Sequence, residues 1–231
     1  MVSFWDSFAN DRLLVDASLW SADLSCLRDD IRKVDDLVDL YHFDVSDAHF
    51  VPGLLFFPDL VAALRPLTHK RFHVHLMVDD PRSLVDDFAQ AGADLITVHL
   101  DTGQHAAEAV EHILKTGIHA GLAFSLDAQI EKLLPYQEEI GLVLLMGTPM
   151  GVKGQGLSPR AAPRIREMRR LLIEHGLERK IKIEADGGIR THTVPALHSA
   201  GADLVVAGSL IFKSEDLAQT FAWLRALPLQ S

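Results

Sequence analysis

Eight short β-rich runs alternate with eight longer stretches whose apolar residues recur every three or four positions, and this alternation constrains the fold more than any other feature of the chain. The expected strands are Leu13–Leu19, Leu40–Asp44, Arg71–Met77, Leu95–Leu100, His119–Phe124, Leu142–Met146, Lys182–Ala185 and Leu204–Ala207. The expected helices are Leu24–Leu37, Phe57–Leu64, Pro81–Ala91, His105–Thr116, Asp127–Leu134, Pro159–Glu174, Thr193–Ala200 and Leu217–Leu227. Several of these helices stop at glycine just ahead of a strand, as in Ala91-Gly92-Ala93-Asp94 and Ala200-Gly201-Ala202-Asp203, where glycine tolerates the left-handed backbone that ends a helix. No Pro/Gly/Ser linker, charge block or low-complexity tract interrupts the 231 residues. Residues 1–231 are therefore expected to form one domain, an α/β single (β/α)8 TIM barrel with an N-terminal extension over residues 1–12. The competing architecture, an open doubly wound sheet, would carry a glycine-rich turn after the first strand. The chain has Ser18-Leu19-Trp20-Ser21-Ala22-Asp23 there instead.

Composition narrows the classes further. Twenty-two basic against 32 acidic residues leave a net charge of -10, which argues against a nucleic-acid partner, because phosphate backbones need clustered Lys and Arg. The single cysteine, Cys26, rules out an internal disulfide and suits a reducing compartment; on the first helix it is expected to be a small core residue. No run approaches the ~20 apolar residues of a membrane span, so no membrane partner is expected and a cytoplasmic location is. Phe4, Trp5 and Phe8 fall on one side of a short segment, suited to covering the barrel bottom or to a contact between identical subunits; a homo-oligomer is expected.

In such a barrel the chemistry sits where strands end, at the carboxyl-terminal rim. Strand alternation puts His42 and Asp44 on one face, His73 and His75 on one face, and closes the seventh strand with Ile183-Glu184-Ala185-Asp186. Two imidazoles and two carboxylates at one mouth suit a divalent cation of borderline character, with zinc the first expectation and manganese, iron or cobalt open. Each residue taken alone has a blander explanation, a hydrogen-bonded lining side chain. Glycines form a second constellation: Gly151 and Gly154 after the sixth strand, Gly187-Gly188 after the seventh and Gly208-Ser209 after the eighth. Bare amides in such turns can cradle an anion, and three sets on consecutive late strands favour phosphate over tight turns alone.

The segments Ser18 to Asp23, His42-Phe43-Asp44-Val45-Ser46-Asp47-Ala48-His49-Phe50-Val51-Pro52, His75-Leu76-Met77, Glu184 to Gly188 and Gly208-Ser209 together resemble the ribulose-phosphate 3-epimerase family in order and spacing, from about Val15 to Phe212. The resemblance implies a metal-dependent barrel that inverts C3 of a ketose phosphate, D-ribulose 5-phosphate to D-xylulose 5-phosphate, through a 2,3-enediolate, in pentose phosphate metabolism. It implies His42, Asp44, His75 and Asp186 as ligands of one divalent ion, with Asp44 and Asp186 doubling as the acid/base pair. Ser18 and His75 would meet the substrate, and Met77 and Met146 would line an apolar floor. The phosphate would rest at Gly151, Gly154, Gly187, Gly188, Gly208 and Ser209.

Departures from the family pattern bear on the substrate. Ser46 replaces the usual Met and is expected to leave a hydroxyl and space near the reacting carbon. Pro149-Met150-Gly151-Val152-Lys153-Gly154-Gln155 stands for Asn-Pro-Gly-Phe-Gly-Gly-Gln, and Lys153 adds a cation suited to phosphate or to solvent. A related ketose phosphate such as allulose 6-phosphate thus stays open, as does a non-catalytic sugar-phosphate-binding homologue. A decarboxylase of the related barrels would show Asp-x-Lys-x-x-Asp at the third strand, where this chain reads His73-Val74-His75. A metal-dependent hydrolase would need an activated water and no paired bases. His49, His73 and His99 are candidates for orienting the ligands.

Overall fold

The structure, a computed structural model, describes residues 4–228. Eight parallel strands close in sequence order into a barrel: β1 (Leu14–Ser18), β2 (Leu40–Ser46), β3 (Arg71–Met77), β4 (Leu95–His99), β5 (His119–Phe124), β6 (Leu142–Met146), β7 (Lys182–Asp186) and β8 (Leu204–Ala207). β1 pairs with both β2 and β8, so the sheet has no free edge. The helices α1 (Leu27–Val34), α2 (Pro58–Leu64), α3 (Val85–Gln90), α4 (Gln104–Lys115), α5 (Ala161–Glu174), α6 (Val194–Ser199), α7 (Ser209–Phe212) and α8 (Leu217–Arg225) surround it. The (β/α)8 expectation holds.

Sequence periodicity explains why the layers meet. On α4 the buried residues are Ala106, Ala109, Val110 and Ile113, one stripe at spacings of three and four. Outward-facing strand residues such as Tyr41, Phe43, Phe72, Val74, Ile96 and Val98 share one buried cluster with those stripes. Element ends differ from expectation in places. The stretch between β5 and β6 is a 3-10 helix, Ile130–Tyr136, because Pro135 lacks the N–H that an α-helical turn would use there. The third helix splits into a 3-10 turn, Pro81–Leu84, followed by α3. Cys26 departs from its expected place in the core: it precedes the first turn of α1 and is exposed.

The loops that enter strands share a device. Asp39, Asp94 and Asp203 accept the backbone N–H of Val15, Phe72 and Ile183 at 2.9, 2.9 and 2.8 Å. Each also pairs with an arginine, Arg12, Arg71 and Arg169 respectively. The carboxylate thereby ties one strand's start to its neighbour's.

Inward-facing residues change character from bottom to top. Leu14, Leu40, Leu95, Leu142 and Leu204 form an apolar base, and Phe4 and Trp5 of the N-terminal 3-10 turn pack beneath it. The Trp5 indole N–H donates to the Gly141 carbonyl at 2.7 Å. Residues 4 and 5 thus cover the barrel bottom, one of the two roles expected of them. Two residues further along the strands the interior becomes polar, and there the site begins.

Candidate active site

Period-two alternation sends Asp16 and Ser18 of β1, His42 and Asp44 of β2, His73 and His75 of β3, and Glu184 and Asp186 of β7 inward, all of them buried. In the upper tier, one ligand atom from each of His42, Asp44, His75 and Asp186 lies within 4.8 Å of the others. His42 Nε2 stands 3.3 Å from Asp44 Oδ1, and His75 Nδ1 stands 3.7 Å from Asp44 Oδ1 and 3.6 Å from Asp186 Oδ2. Among the described residues neither of these two ring nitrogens has a hydrogen-bond partner, although both are buried. Their remaining nitrogens are engaged: His75 Nε2 meets His99 Nε2 at 2.8 Å, and His42 Nδ1 meets Asp16 Oδ2 at 3.3 Å. Two unpartnered imidazole nitrogens and two carboxylates around one point fit a divalent cation, with the back of each ring fixed by a neighbour.

The two aspartates sit in unequal fields. Burial opposes ionisation of Asp44, but the adjacent His42 and His75 rings outweigh it and hold its carboxyl well below the usual range. Burial and the neighbouring Asp44 charge push Asp186 up to about 6. Ser18 Oγ donates to Asp44 Oδ2 at 2.8 Å, so the hydroxyl expected to meet substrate also fixes a carboxylate. Burial lowers His99 to about 4, which keeps it a neutral ring against His75.

Above this cluster opens a cleft lined by Ser18, Asp44, Met77, Met146 and Asp186, and by Gly151, Lys153, Gly154, Gly187, Gly188, Gly208 and Ser209. The anticipated residues therefore come together, while His42 and His75 lie beneath the cleft, fully buried. Gly187 and Gly188 have φ of 91° and 71°, and a Cβ on Gly188 would stand 2.7 Å from the Leu157 backbone, so these turns require glycine for packing as well as for open amides. Gly208 opens α7, whose first N–H groups have no carbonyl within the helix. Lys153 is exposed at the rim of the cleft, where its Nζ donates to the Trp20 carbonyl and lies 5.3 Å from that indole ring.

Two placements differ from expectation, and two cleft residues carried none. The Ser46 hydroxyl donates to the Gly53 carbonyl at 3.0 Å, so it is engaged by its own loop. His49 is exposed, away from the ligand cluster. Arg190 and Lys213, which also line the cleft, carried no expectation; each follows a glycine turn by a few residues, and only spacing from Gly188 and Gly208 could have drawn notice. Burial and the charge of Lys213 both lower the Lys153 pKa, so two ammonium groups feel one another there.

Solved structures with this fold include 3-keto-L-gulonate-6-phosphate decarboxylase from Vibrio cholerae O1 biovar El Tor, with TM-score 0.68, 16% identity, and coverage of 92% of this chain and 95% of that one. Orotidine 5'-phosphate decarboxylase from Pyrococcus horikoshii OT3 aligns with TM-score 0.63 and 17% identity over 91% and 97% of the two chains. At the sequence level, ribulose-phosphate 3-epimerase of Chlamydia pneumoniae is 36% identical over 209 residues, covering 90% of this chain and 91% of the relative. The Bacillus subtilis (strain 168) protein of the same name is 34% identical over 209 residues, covering 90% and 96%. The model of the "Ribulose-phosphate 3 epimerase family" matches residues 14–212, from the first strand to the helix after the last, and the chain belongs to that family of isomerases.

Proposed function

We propose that the chain inverts C3 of a ketose phosphate, interconverting D-ribulose 5-phosphate and D-xylulose 5-phosphate, with Asp44 and Asp186 as the proton-transfer pair. The observation that carries this reading is the convergence of those two carboxylates with the unpartnered His42 Nε2 and His75 Nδ1 at the floor of one cleft. It is supported by relatives named ribulose-phosphate 3-epimerase over about nine-tenths of the chain.

Inversion beside a ketone needs a proton taken from one face of C3 and another returned to the opposite face. Asp44 on β2 and Asp186 on β7 approach from either side of the β1–β8 pair, so a flat C2–C3 fragment between them would show one face to each. One carboxylate accepts the C3 proton, the electron pair moves toward O2 as a 2,3-enediolate forms, and the other carboxyl delivers its proton to C3. The two aspartates exchange protonation states in each turnover. Ser18 holds Asp44 by its second oxygen, leaving Oδ1 facing the cluster. Met77 and Met146 present an apolar surface that excludes water without requiring a hydrogen bond.

His42, Asp44, His75 and Asp186 would hold one divalent cation, zinc first and manganese, iron or cobalt as substitutes. When bound, such an ion supplies Lewis-acid stabilisation of negative charge on the substrate's oxygens, on the order of several kcal/mol. The phosphate would lie on the amides at Gly187-Gly188 and Gly208-Ser209, with Gly151, Lys153 and Gly154 closing over it and Arg190 and Lys213 nearby.

The test is isotope exchange in heavy water with D-ribulose 5-phosphate, D-allulose 6-phosphate and other pentulose and hexulose phosphates, with zinc, manganese, iron or cobalt restored after chelation. Deuterium should enter C3 of ribulose 5-phosphate as xylulose 5-phosphate accumulates. Exchange confined to a six-carbon ketose would reassign the substrate. Tight phosphate binding without exchange on any ketose would make the protein a sugar-phosphate-binding homologue.

A further inference from the structure

A second cluster lies one tier deeper in the barrel, out of reach of the cleft. Asp16, His73 and Glu184 are wholly buried, and with His42 they bring one ligand atom each within 4.8 Å. His73 Nδ1 is 2.7 Å from Asp16 Oδ2 and 3.4 Å from Glu184 Oε2. His42 Nδ1 is 3.3 Å from both Asp16 Oδ2 and His73 Nδ1. Donors placed around one tetrahedral zinc ion stand roughly 3.3–3.4 Å apart, given metal–nitrogen distances of about 2.0–2.1 Å. Of the separations among the three carboxylate and imidazole donors other than His42, His73–Glu184 at 3.4 Å matches that edge and His73–Asp16 at 2.7 Å is shorter.

Hydrogen bonding makes the same point from the other side. Among the described residues both Glu184 oxygens and Asp16 Oδ1 have no hydrogen-bond partner, in a region with no exposed surface at either residue. An ionised carboxylate left in that condition is strongly unfavourable unless a cation or a proton compensates it. His73 is set up as a ligand would be: Nε2 meets the Thr97 hydroxyl at 2.8 Å, and Nδ1 is directed into the cluster. Across the two tiers, four carboxylates surround three histidines, and two divalent ions would balance them.

We propose that Asp16, His73 and Glu184 form a second, deeper divalent-cation site, with His42 as the wall between the tiers. A neutral His42 ring with its single proton on Nδ1, toward Asp16, leaves Nε2 open to the upper cluster and walls the deeper ion without ligating it. The deeper ion has no substrate contact; it braces the interior and fixes the His42 ring. The inference rests on the proposed reaction site only through this shared ring.

The test is zinc content of the full chain, stripped with chelator, reloaded with zinc sulfate, desalted and analysed by mass spectrometry. The wild type should hold two equivalents, which chelator removes in a fast and a slow phase, the slow one from the enclosed tier. Glu184→Gln and Asp186→Asn should each hold one, with the slow phase missing in the first and the fast phase missing in the second. His73→Asn replaces Glu184→Gln if circular dichroism shows that variant unfolded, and the wild-type count decides by itself if neither folds. One equivalent in the wild type, retained by Glu184→Gln and lost in Asp186→Asn, would overturn the deeper site and leave the reaction site standing. One equivalent lost only in Glu184→Gln would support the deeper site and overturn the upper ion. No bound zinc overturns both.

Discussion

Asp44 and Asp186 are the same residue type in different surroundings, and the difference comes from what lies within 4 Å of each. Replacing either by Asn keeps shape and removes the exchangeable carboxyl, so kcat for C3 inversion should fall by about 10²–10⁴-fold with the circular dichroism spectrum unchanged. Retained turnover in either variant would end the paired-carboxylate mechanism. Lys153→Ala and Lys213→Ala act on binding, so each should raise KM roughly tenfold with little change in kcat, in line with loss of one charge-assisted hydrogen bond. Asp101 offers a pH test outside the ligand set. The adjacent His99 ring and the Ser125 hydroxyl hold its carboxyl at about 2 against an ordinary 3.8. A depressed carboxylate pKa stabilises the fold above the unfolded value, and that stabilisation fades as pH falls toward the folded one. The gap in melting temperature between wild type and Asp101→Asn should therefore be widest above pH 3.8 and close toward about pH 2; a gap independent of pH would contradict the assignment. At this scale His42, Asp44, His75 and Asp186 were legible because each stands near a strand's end in a recognisable motif. Asp16 and Glu184 carry no assignment from sequence because neither belongs to the four-residue ligand set; only the two-residue step to Ser18 and Asp186 shows that both point inward.

Among the elements, strands were read more accurately than helices. A strand buried on both faces is a continuous apolar or β-branched run, and β3, β5, β6 and β8 match their expected limits. Helix ends depend on capping and on proline, and here sequence periodicity ran past the real boundaries: α1 begins at Leu27, three residues after the first apolar residue of its pattern. Cys26 was misplaced for the same reason, since an apolar count cannot tell the last residue before a helix from its buried stripe. The Ala-Gly-Ala-Asp loops were legible as helix stops, but the work of their final residue was not. Asp203 accepts the Ile183 N–H and pairs with Arg169 at 2.5 Å. Asp203→Ala should lower unfolding stability by about 2 kcal/mol in urea titration, as expected for hydrogen bonds to a charged group; a change within ±0.5 kcal/mol, ordinary for surface sites, would show that the strands hold register without it.

For the whole molecule, eight repeats of one pattern sufficed to infer closure, because strand-and-helix units wound in one sense bring the first strand beside the last. What repetition could not convey is how the barrel is sealed. Trp5 occupies the base under five leucines and bonds to Gly141, so Trp5→Ala should cost about 3 kcal/mol and lower Tm by roughly 6–12 °C in a thermal melt. Among the described residues, that seal closes the end of the barrel opposite the cleft. A molecule lodged across the open rim would therefore imprison whatever lies below it, and loosening the base would give solvent a back door to groups that otherwise never meet it.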